Sequence, residues 1–484
     1  MRSRLYALAC LGLALHLPVS TWAETIKMQH VLQRVVDQYP SLKTSVLEVE
    51  RARQEAKKVA AQLGWRMGAY TGVNRHVSLF GEPTDQLEIG ANFSRSLSSG
   101  DSVSITAGVT HDDASSSVLP MLPNPSTATR IEATYRRHLA KGTHFPGYHQ
   151  GMLAAQASVQ LAEAQRSALY DSLASQVIEL YMAVNITRSR IENTEQAIAR
   201  SKRLRNYIRK RANLGVSEQK DLLQVDAQLR GLQAESRGLQ MLWRNKVVAI
   251  NRLMGQKPGA SFEPGFTRDI MLPKESYDQL IKEAKAHSPA LMSVRARVKL
   301  AESTIELKRD AKKHQLDLVL FVGNRGNSGE IEVGPDVDQN EMVGGLRLEF
   351  NGSADRSGYD ADIRQALLDR RIARTDEVRI VQDLEYLLSG LLTEMEAGIE
   401  ALHAYQQSVK SEQAKLDEAE KRYRAGRTDT DQLIQFEAQL AGAKLNRELQ
   451  QVELARRYQN LNLLRGLMWQ NVDKSHLRMS EDNR

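Results

Sequence analysis

The chain contains the same segment twice, because residues 173–255 return as residues 384–466 at a constant offset of 211 positions without a gap. A glycine lies in the middle of each copy, Gly215 in the first and Gly426 in the second, and leucines follow each glycine after 7 and 14 residues. Such a pattern is typical of a long helix, a tight turn and a returning coiled-coil helix. The repeat therefore predicts two similar helical hairpins whose tips are formed by Gly215 and Gly426 as left-handed caps.

The distribution of proline sets the length of these helices, since proline lacks the amide hydrogen and clashes inside a helix. None of the 12 prolines lies between Gly147 and Lys257, and none follows Pro335. A helix over the 66 residues from Gly147 to Ala212 would be about 100 Å long. The other predicted helices are 26–63, 217–255, 276–313, 359–424 and 429–468.

Strands are predicted between the helices, where apolar and polar residues alternate with a period of two. A turn at Ser98–Asp101 separates two of them in the first half. The segments with this alternation are 67–73, 87–93, 103–109, 129–139, 316–322 and 346–350. The long loops 112–127 and 325–341 are expected to face the outside of the cell.

The alternation has two interpretations: strands of an outer-membrane barrel with a polar lumen, or a soluble antiparallel sheet with one solvated face. The position of aromatic residues at the helix–strand junctions favours the barrel, because an interfacial aromatic belt would lie there. These aromatics are Trp65, Phe145, Tyr148 and Tyr359. The charged residues predicted to face the barrel lumen are Glu88, Arg130, Glu132, Arg136, Arg347 and Glu349.

The N-terminus predicts export. Basic Arg2 and Arg4 precede an apolar stretch, and small residues lead to a predicted cleavage site before Glu24. The only cysteine is Cys10; lipidation there is an alternative, and cleavage at residue 23 leaves a chain without thiol chemistry. Removing residues 1–23 takes away two arginines and no acid, so the net charge falls from +7 to +5. Interspersed charges of this kind indicate solvated helix faces and no nucleic-acid partner. Outside the signal no run of 18 apolar residues exists, so contact with a membrane would have to be made by strands.

These features together resemble the TolC-type outer membrane efflux protein family over residues 24–472. Three segments match sequences typical of the family: Arg211–Ser217 with Asp221, Arg422–Gly426, and Arg347–Phe350 leading through Arg356 into a helix. The expected fold is mainly α, with long antiparallel coiled-coil helices from a tandem repeat and β-strands that contribute to a trimeric outer-membrane barrel. The expected divisions are a signal peptide 1–23, a first repeat 24–256, a connector 257–274, a second repeat 275–472 and a tail 473–484.

The resemblance implies a homotrimeric channel in the bacterial outer membrane, in contact with its lipid, with the helical part in the periplasm. It implies a passive exit duct for efflux or type I secretion that meets a periplasmic adaptor protein and, indirectly, an inner-membrane transporter. The hairpin tips would contact the adaptor; they comprise Leu214, Gly215, Val216, Ser217, Ala425, Gly426, Arg427 and Thr428.

The resemblance also implies a periplasmic aperture closed by Asp221, Tyr423 and Arg427. The family's basic residue commonly stands two positions after the second glycine, where this chain has Thr428, and Arg427 precedes it. Gln432 and Gln435 replace aspartates that the family often has. The hairpin around Gly100 adds two strands to the two per half of the best-known members.

No enzyme, cofactor or metal site is predicted. The sequence lacks a phosphate-binding Gly-Lys-Ser/Thr loop, a Gly-x-Ser-x-Gly elbow and a His-Glu-x-x-His motif. The cluster His144–His149 is better explained by Pro146 at the first turn of a helix. Asp336, Asp338 and Asn340 are spaced like the start of a calcium loop, but Glu341 and Arg347 replace its glycine and its last glutamate. The competing hypothesis is a periplasmic or surface coiled-coil scaffold without channel activity.

Overall fold

The structure is a computed structural model that describes residues 26–77, 81–114, 120–213, 219–265, 272–425, 427–470 and 472. It is built of eight helices and one sheet of six strands within these ranges. The helices are α1 (Met28–Gln38), α2 (Pro40–Ala60), α3 (Pro146–Asn213), α4 (Gln219–Leu253), α5 (Tyr277–His287), α6 (Pro289–Ala311), α7 (Ser357–Arg424) and α8 (Thr430–Leu464). The strands are β1 (Trp65–Val77), β2 (Pro83–Ser96), β3 (Ser102–Ala114), β4 (Ser126–His138), β5 (Gln315–Gly329) and β6 (Val337–Asn351). The predicted signal peptide and the tail 473–484 lie outside the described residues.

The repeat is visible in the helix boundaries. α3 and α7 each contain 68 residues, α4 and α8 each contain 35, and both pairs start and end 211 residues apart. At 1.5 Å per residue the two long helices are each about 100 Å in length. The predicted helical hairpins are therefore present with the expected lengths.

Two of the predicted helices are each divided in two, which the sequence reading had not anticipated. The expected helix 26–63 is α1 and α2, separated before Pro40, and 276–313 is α5 and α6, separated before Pro289. Tyr39 and Ser288 are extended because the proline that follows excludes the helical conformation. The Ser288 Oγ then accepts a hydrogen bond from the Leu291 amide at 3.3 Å and caps α6.

The helices form an open wall with two free flanks. α3 is central and packs against α2, α4, α6 and α8, whereas α7 packs against α5, α6 and α8. The main neighbour of α2 and of α4 is α3 alone. One flank of the wall thus ends at α2 and α4, and the other ends at α7.

The main apolar core lies halfway along the helices, where α1 and the connector after α4 pack on the middle of α3. Its fully buried members include Val31, Leu32, Val177, Tyr181 and Phe262. Trp469 packs edge-on against Tyr170, with 5.1 Å between ring centroids. A second core joins the two hairpins near their tips through Ile208, Val225, Leu416 and Leu433.

The six strands form an antiparallel meander in the order of the sequence, with β1 and β6 at its edges. The strands are longer than the alternation predicted: β3 continues to Ala114, and β5 and β6 reach Gly329 and Val337. The loops expected at 112–127 and 325–341 are shorter for this reason. Polar Ser, Thr, Asn and Asp residues continue the ladder at the strand ends, since backbone pairing there does not require an apolar side chain.

No described helix is both long enough and apolar enough to cross a membrane.

Candidate functional site

The sheet has one apolar and one polar face, and the apolar face is not covered by any other part of the described chain. Residues that pair across neighbouring strands, such as Met67 with Phe93 and Phe93 with Ile105, carry large apolar side chains on the same face. Met67 and Met342, near the two edges, are each 82% exposed. The other large exposed side chains of this face are Trp65, Val73, Val77, Leu87, Ile89, Val109, Ile131, Leu320, Val322, Leu346, Leu348 and Phe350. A continuous exposed apolar surface of this size marks contact with a membrane or another protein.

The six charged residues predicted to face a lumen all lie on the opposite face. Their register pairs place Glu88 on β2, Arg130, Glu132 and Arg136 on β4, and Arg347 and Glu349 on β6 in the same alternation phase. Glu88 lies apart from the other five on its own strand. That the polar face lines a lumen is an expectation that rests on closure of the sheet, because a single protomer leaves both edges open.

A network of ion pairs covers the polar face of β4, β5 and β6. The Arg136 Nη1 lies 2.6 Å from Glu349 Oε2 and 2.9 Å from Asp317 Oδ2, and Arg347 also contacts Glu349 at 2.8 Å. The His138 Nδ1 lies 2.6 Å from the second oxygen of Asp317, which is fully buried. The surface therefore carries charge of both signs, held in fixed positions.

Two further arginines share one carboxylate on β4 and β5, farther from the helices than the first network. Glu132 lies 2.8 Å from Arg130 and 3.2 Å from Arg325. Sequence reasoning missed Arg325 and Asp317, although both fall in the polar phase of β5. The signal of Asp317 was weak because Val319 and Phe321 share its phase and make the strand look apolar on both faces. Arg325 was missed because the sequence analysis assigned it to the loop 325–341, whereas β5 continues to Gly329.

The aromatic residues predicted at the helix–strand junctions are found there. Trp65 begins β1 with the Arg95 guanidinium 5.9 Å from its ring centroid, and Tyr359 lies in the first turn of α7. Phe145 and Tyr148 stack at 5.7 Å between ring centroids at the start of α3. They mark the level at which the sheet meets the helical wall.

At the opposite end of the helices, the first tip and Gly426 of the second lie outside the described residues, including Leu214, Gly215, Val216 and Ser217. Ala425 and Arg427 are exposed at the end of α7, and Thr428 is half-buried. The Arg427 amide donates to the Arg422 carbonyl at 2.9 Å, which closes the end of the helix.

The predicted aperture residues are partly brought together. The Tyr423 side chain is buried, its hydroxyl lies 3.1 Å from Thr430 Oγ1, and its ring lies 5.8 Å from that of Tyr207. Burial is the main cause that raises the pKa of Tyr423, and the negative charge of Asp221 adds to it. Tyr423 and Asp221 are thus close enough to interact, while the exposed Arg427 lies at the surface of the tip.

Next to Tyr423 is a cavity of about 160 Å³ that sequence reasoning did not find. Its wall includes Arg200, Arg203, Tyr207 and Glu437. Glu437 is only 6% exposed, and burial raises the pKa of its carboxyl. Gln224 of α4 donates to Asp431 of α8 at the same end, which joins the two hairpins.

In the described parts of the chain, no group of three or more histidine, cysteine or acidic residues is placed so that it could hold a metal ion.

Comparisons with known proteins give the class of this fold. Residues 280–467 match the family model described as outer membrane efflux protein. The structure resembles the outer membrane protein VceC from Vibrio cholerae, with 15% identity, 90% of this chain and 94% of that chain covered, and a TM-score of 0.65. It also resembles CusC (13% identity, 92% and 93% covered, TM-score 0.67) and the CmeC outer membrane channel of Campylobacter jejuni (13%, 93% and 88%, 0.65). No curated protein matches by sequence.

The resemblance to TolC-type outer membrane efflux proteins is thereby confirmed, in sequence over the second half and in fold over about nine tenths of the chain. The mainly helical fold with a β-sheet part is the fold of these channels.

Proposed function

We propose that the chain is a member of the outer membrane efflux family and that three copies form a channel in the bacterial outer membrane. The sheets would together span the lipid, and the helices would continue the channel as a tunnel through the periplasm. The observation that carries this proposal is the six-stranded sheet whose uncovered apolar face lies at the end of helices about 100 Å long. In this arrangement the apolar face meets lipid and the charged face lines water.

The free flanks of the helical wall support assembly from identical copies. Leu368, Ile372 and Tyr386 of α7 are more than half exposed and are spaced so that they share one side of the helix. Leu223, Met241 and Val248 form a similar stripe on α4 at the opposite flank. The apolar stripes on the two flanks would be buried if the α7 flank of one copy packed against the α2 and α4 flank of the next.

The channel would act as a passive exit duct, as the resemblance implies. The tips around Gly215 and Gly426 would meet a periplasmic adaptor protein, which connects the duct to an inner-membrane transporter. Asp221, Tyr423 and Arg427 would contribute to closure of the aperture. For Tyr423 and Asp221 the support is that the charge of Asp221 acts on the pKa of Tyr423 at the end of the hairpins; for Arg427 it is the family resemblance.

Extraction and reconstitution test the proposal. A channel requires detergent for extraction, migrates as a trimer and conducts ions in planar bilayers. A scaffold would instead be released by carbonate or salt as a soluble protein, and that result would contradict the proposal. Crosslinking from residues beside Gly215 and Gly426 should capture the adaptor.

A separate measurement tests the aperture. Reversing the charge at Asp221 should raise the conductance of the trimer, because a positive charge at this position would repel Arg427 in the proposed aperture. Replacing the exposed Lys210, one turn before the first tip, by Gln is a control that should change conductance less. Equal conductance of the Asp221→Lys variant and the parent would remove Asp221 from the aperture.

A further inference from the structure

The β2–β3 hairpin is a structural part of the sheet, not an appendage at its edge. β2 pairs with β1 on one side and with β3 on the other over nearly its whole length, and β3 pairs with β4 in turn. Without the hairpin, β1 and β4 would have to pair directly for the sheet to stay continuous. Any barrel built from this sheet contains all six strands.

The hairpin also keeps the two faces of the sheet in phase. Trp65 pairs with Arg95, Arg95 with Val103, and Val103 with Tyr135, all on the apolar face. Because two strands are added, β1 remains antiparallel to β4 and its apolar side chains stay on the same face as those of β4. The hairpin widens the wall and leaves its lipid and water faces unchanged.

The turn of the hairpin is fixed to the helical wall. Gly100 has a φ of +96°, and a Cβ there would lie 2.5 Å from the Gly142 carbonyl oxygen. The Tyr135 hydroxyl donates to Asp101 at 2.6 Å, and the His144 amide donates to the Ser99 carbonyl at 3.0 Å. These contacts hold the turn at the level where α3 begins.

The polar face of β1, β2 and β3 is smooth, because it carries few large side chains. Glycines recur there in neighbouring strands, and the Tyr70 ring lies flat across one of them, so that a Cβ at Gly90 would be 2.5 Å from Tyr70 Cζ. Gly68 and Gly72 of β1 and Gly108 of β3 share this face. Except for Glu88, no large charged side chain projects from the middle of this arc in the described strands. The added strands therefore widen the sheet without placing bulky side chains on its polar face.

The edges β1 and β6 run in opposite directions, since they are the first and sixth strands of an antiparallel meander. The β6 of one copy can therefore pair with the β1 of the next without a change of direction. We propose that three copies close a barrel of eighteen strands, in which the β2–β3 hairpins supply six. This inference rests on the trimeric channel proposed above.

The width of this barrel follows from strand geometry. Strands about 4.8 Å apart and tilted by about 40° give a backbone diameter of about 36 Å for eighteen strands, and about 24 Å for the twelve that would remain without the hairpins. Barrels of 16 to 18 strands leave an aqueous channel. We infer an outer mouth that admits solutes much bulkier than a twelve-stranded wall would.

Inter-copy disulfides test the closure in the intact chain, whose only cysteine precedes the predicted cleavage site. Val73→Cys on β1 is combined, one at a time, with cysteine at Met342, Gly344, Leu346 or Leu348, which lie on the same face of β6. We expect covalent oligomers on non-reducing gels at one or two of these positions. Val73→Cys with Arg347→Cys, on the opposite face, is the matched control and should remain uncrosslinked.

Polymer exclusion tests the width. Poly(ethylene glycol) of graded size is added on the outer side of channels formed by the parent chain and by a variant that lacks residues 82–114. The variant should exclude polymers that the parent admits, because its wall has lost six strands.

The outcomes separate the two proposals. A trimer that conducts, but gives no disulfide at any of the four positions or shows the same polymer cut-off without the hairpin, would overturn the eighteen-stranded barrel and leave the channel intact. A monomer without conductance would overturn both. If the deletion variant fails to assemble, the disulfide result on the intact chain decides.

Discussion

At the residue scale, Glu437 shows how the two copies of the repeat have diverged. Its equivalent is Asp226, because 226 plus 211 is 437, and Asp226 forms an ion pair with Arg205. The position equivalent to Arg205 is 205 plus 211, or 416, and it holds the buried Leu416. Glu437 has therefore lost the partner that its counterpart has kept, and it lies buried beside the cavity near Tyr423.

The opposite pKa shifts of these two acids predict opposite effects of pH on stability. Burial raises the pKa of Glu437, so the stability associated with its neutral form is complete below the ordinary carboxyl pKa and is lost as the pH rises through the raised value. Glu437→Gln stays neutral and avoids this loss. The stability gain of the variant in urea should therefore be near zero at pH 4 and grow towards pH 7.

Asp226→Asn is the matched control at the equivalent position. Arg205 lowers the pKa of Asp226, so its contribution is present above the ordinary pKa and is lost as the pH falls through the lowered value. The variant should be less stable than the parent at pH 7 and equal to it in strong acid. A Glu437→Gln gain that is the same at every pH would contradict the buried carboxyl.

Tyr181 is a second residue whose role can be measured. Its hydroxyl donates to the Ile26 carbonyl at 2.8 Å and also contacts the Gly265 carbonyl, which ties the segment before α1 and the connector after α4 to α3. Tyr181→Phe keeps the buried ring and removes both contacts of the hydroxyl, so that the Ile26 carbonyl retains only the Gly265 amide as a donor. We expect a cost of about 1–3 kcal/mol. Denaturation of the folded protein should show this loss, whereas Tyr277→Phe, at an exposed site with a longer contact, should cost less.

At the scale of elements, the helices and strands followed from periodicity and proline, and their junctions did not. The 66-residue proline-free stretch was enough to place α3, because nothing in it could end a helix. The breaks before Pro40 and Pro289 were missed because apolar spacing continues on both sides of each proline. The ends of β5 and β6 were missed because their residues have no alternation to read.

The site was predictable to the same degree. Alternation alone placed Arg130, Arg136 and Glu349 on one face, since the phase of a strand is fixed by its sequence. The ion pairs between them depend on the register between β4, β5 and β6, which only the folded sheet defines. Glu437 was missed because its burial depends on contact between two hairpins.

The two faces of β3 give a prediction for this element. Val109→Arg places a charge on the apolar face near the middle of the strand, which costs about 2–4 kcal/mol in a membrane-spanning strand. The amount of assembled trimer in the outer membrane fraction should fall sharply. Thr110→Arg places the same charge on the opposite, polar face of β3, and this variant should assemble almost normally. Equal yields of the two variants would argue against lipid on the apolar face.

At the scale of the whole molecule, the proposed trimer gives a prediction for the exposed flank of α7. Ile372 is 61% exposed in the single chain and would be covered by the α2 and α4 flank of the next copy. Ile372→Asp places a charge in this apolar contact and should shift the trimer to monomers, as measured by light scattering in detergent. Ile372→Val keeps the contact apolar and should remain trimeric. A trimeric Ile372→Asp variant would place the contact between copies elsewhere.

The helical repeat is nearly symmetric within one chain, but the sheet is not, since four of its strands lie between α2 and α3 and only two lie between α6 and α7. Three copies of such a chain would have close to sixfold symmetry among the helices and only threefold symmetry at the outer mouth. Around that mouth, sectors rich in paired charge would alternate with smooth sectors of glycine and small polar residues. A departing solute would therefore meet an electric field that changes with direction around the rim, and elongated or unevenly charged solutes would tend to leave in preferred orientations.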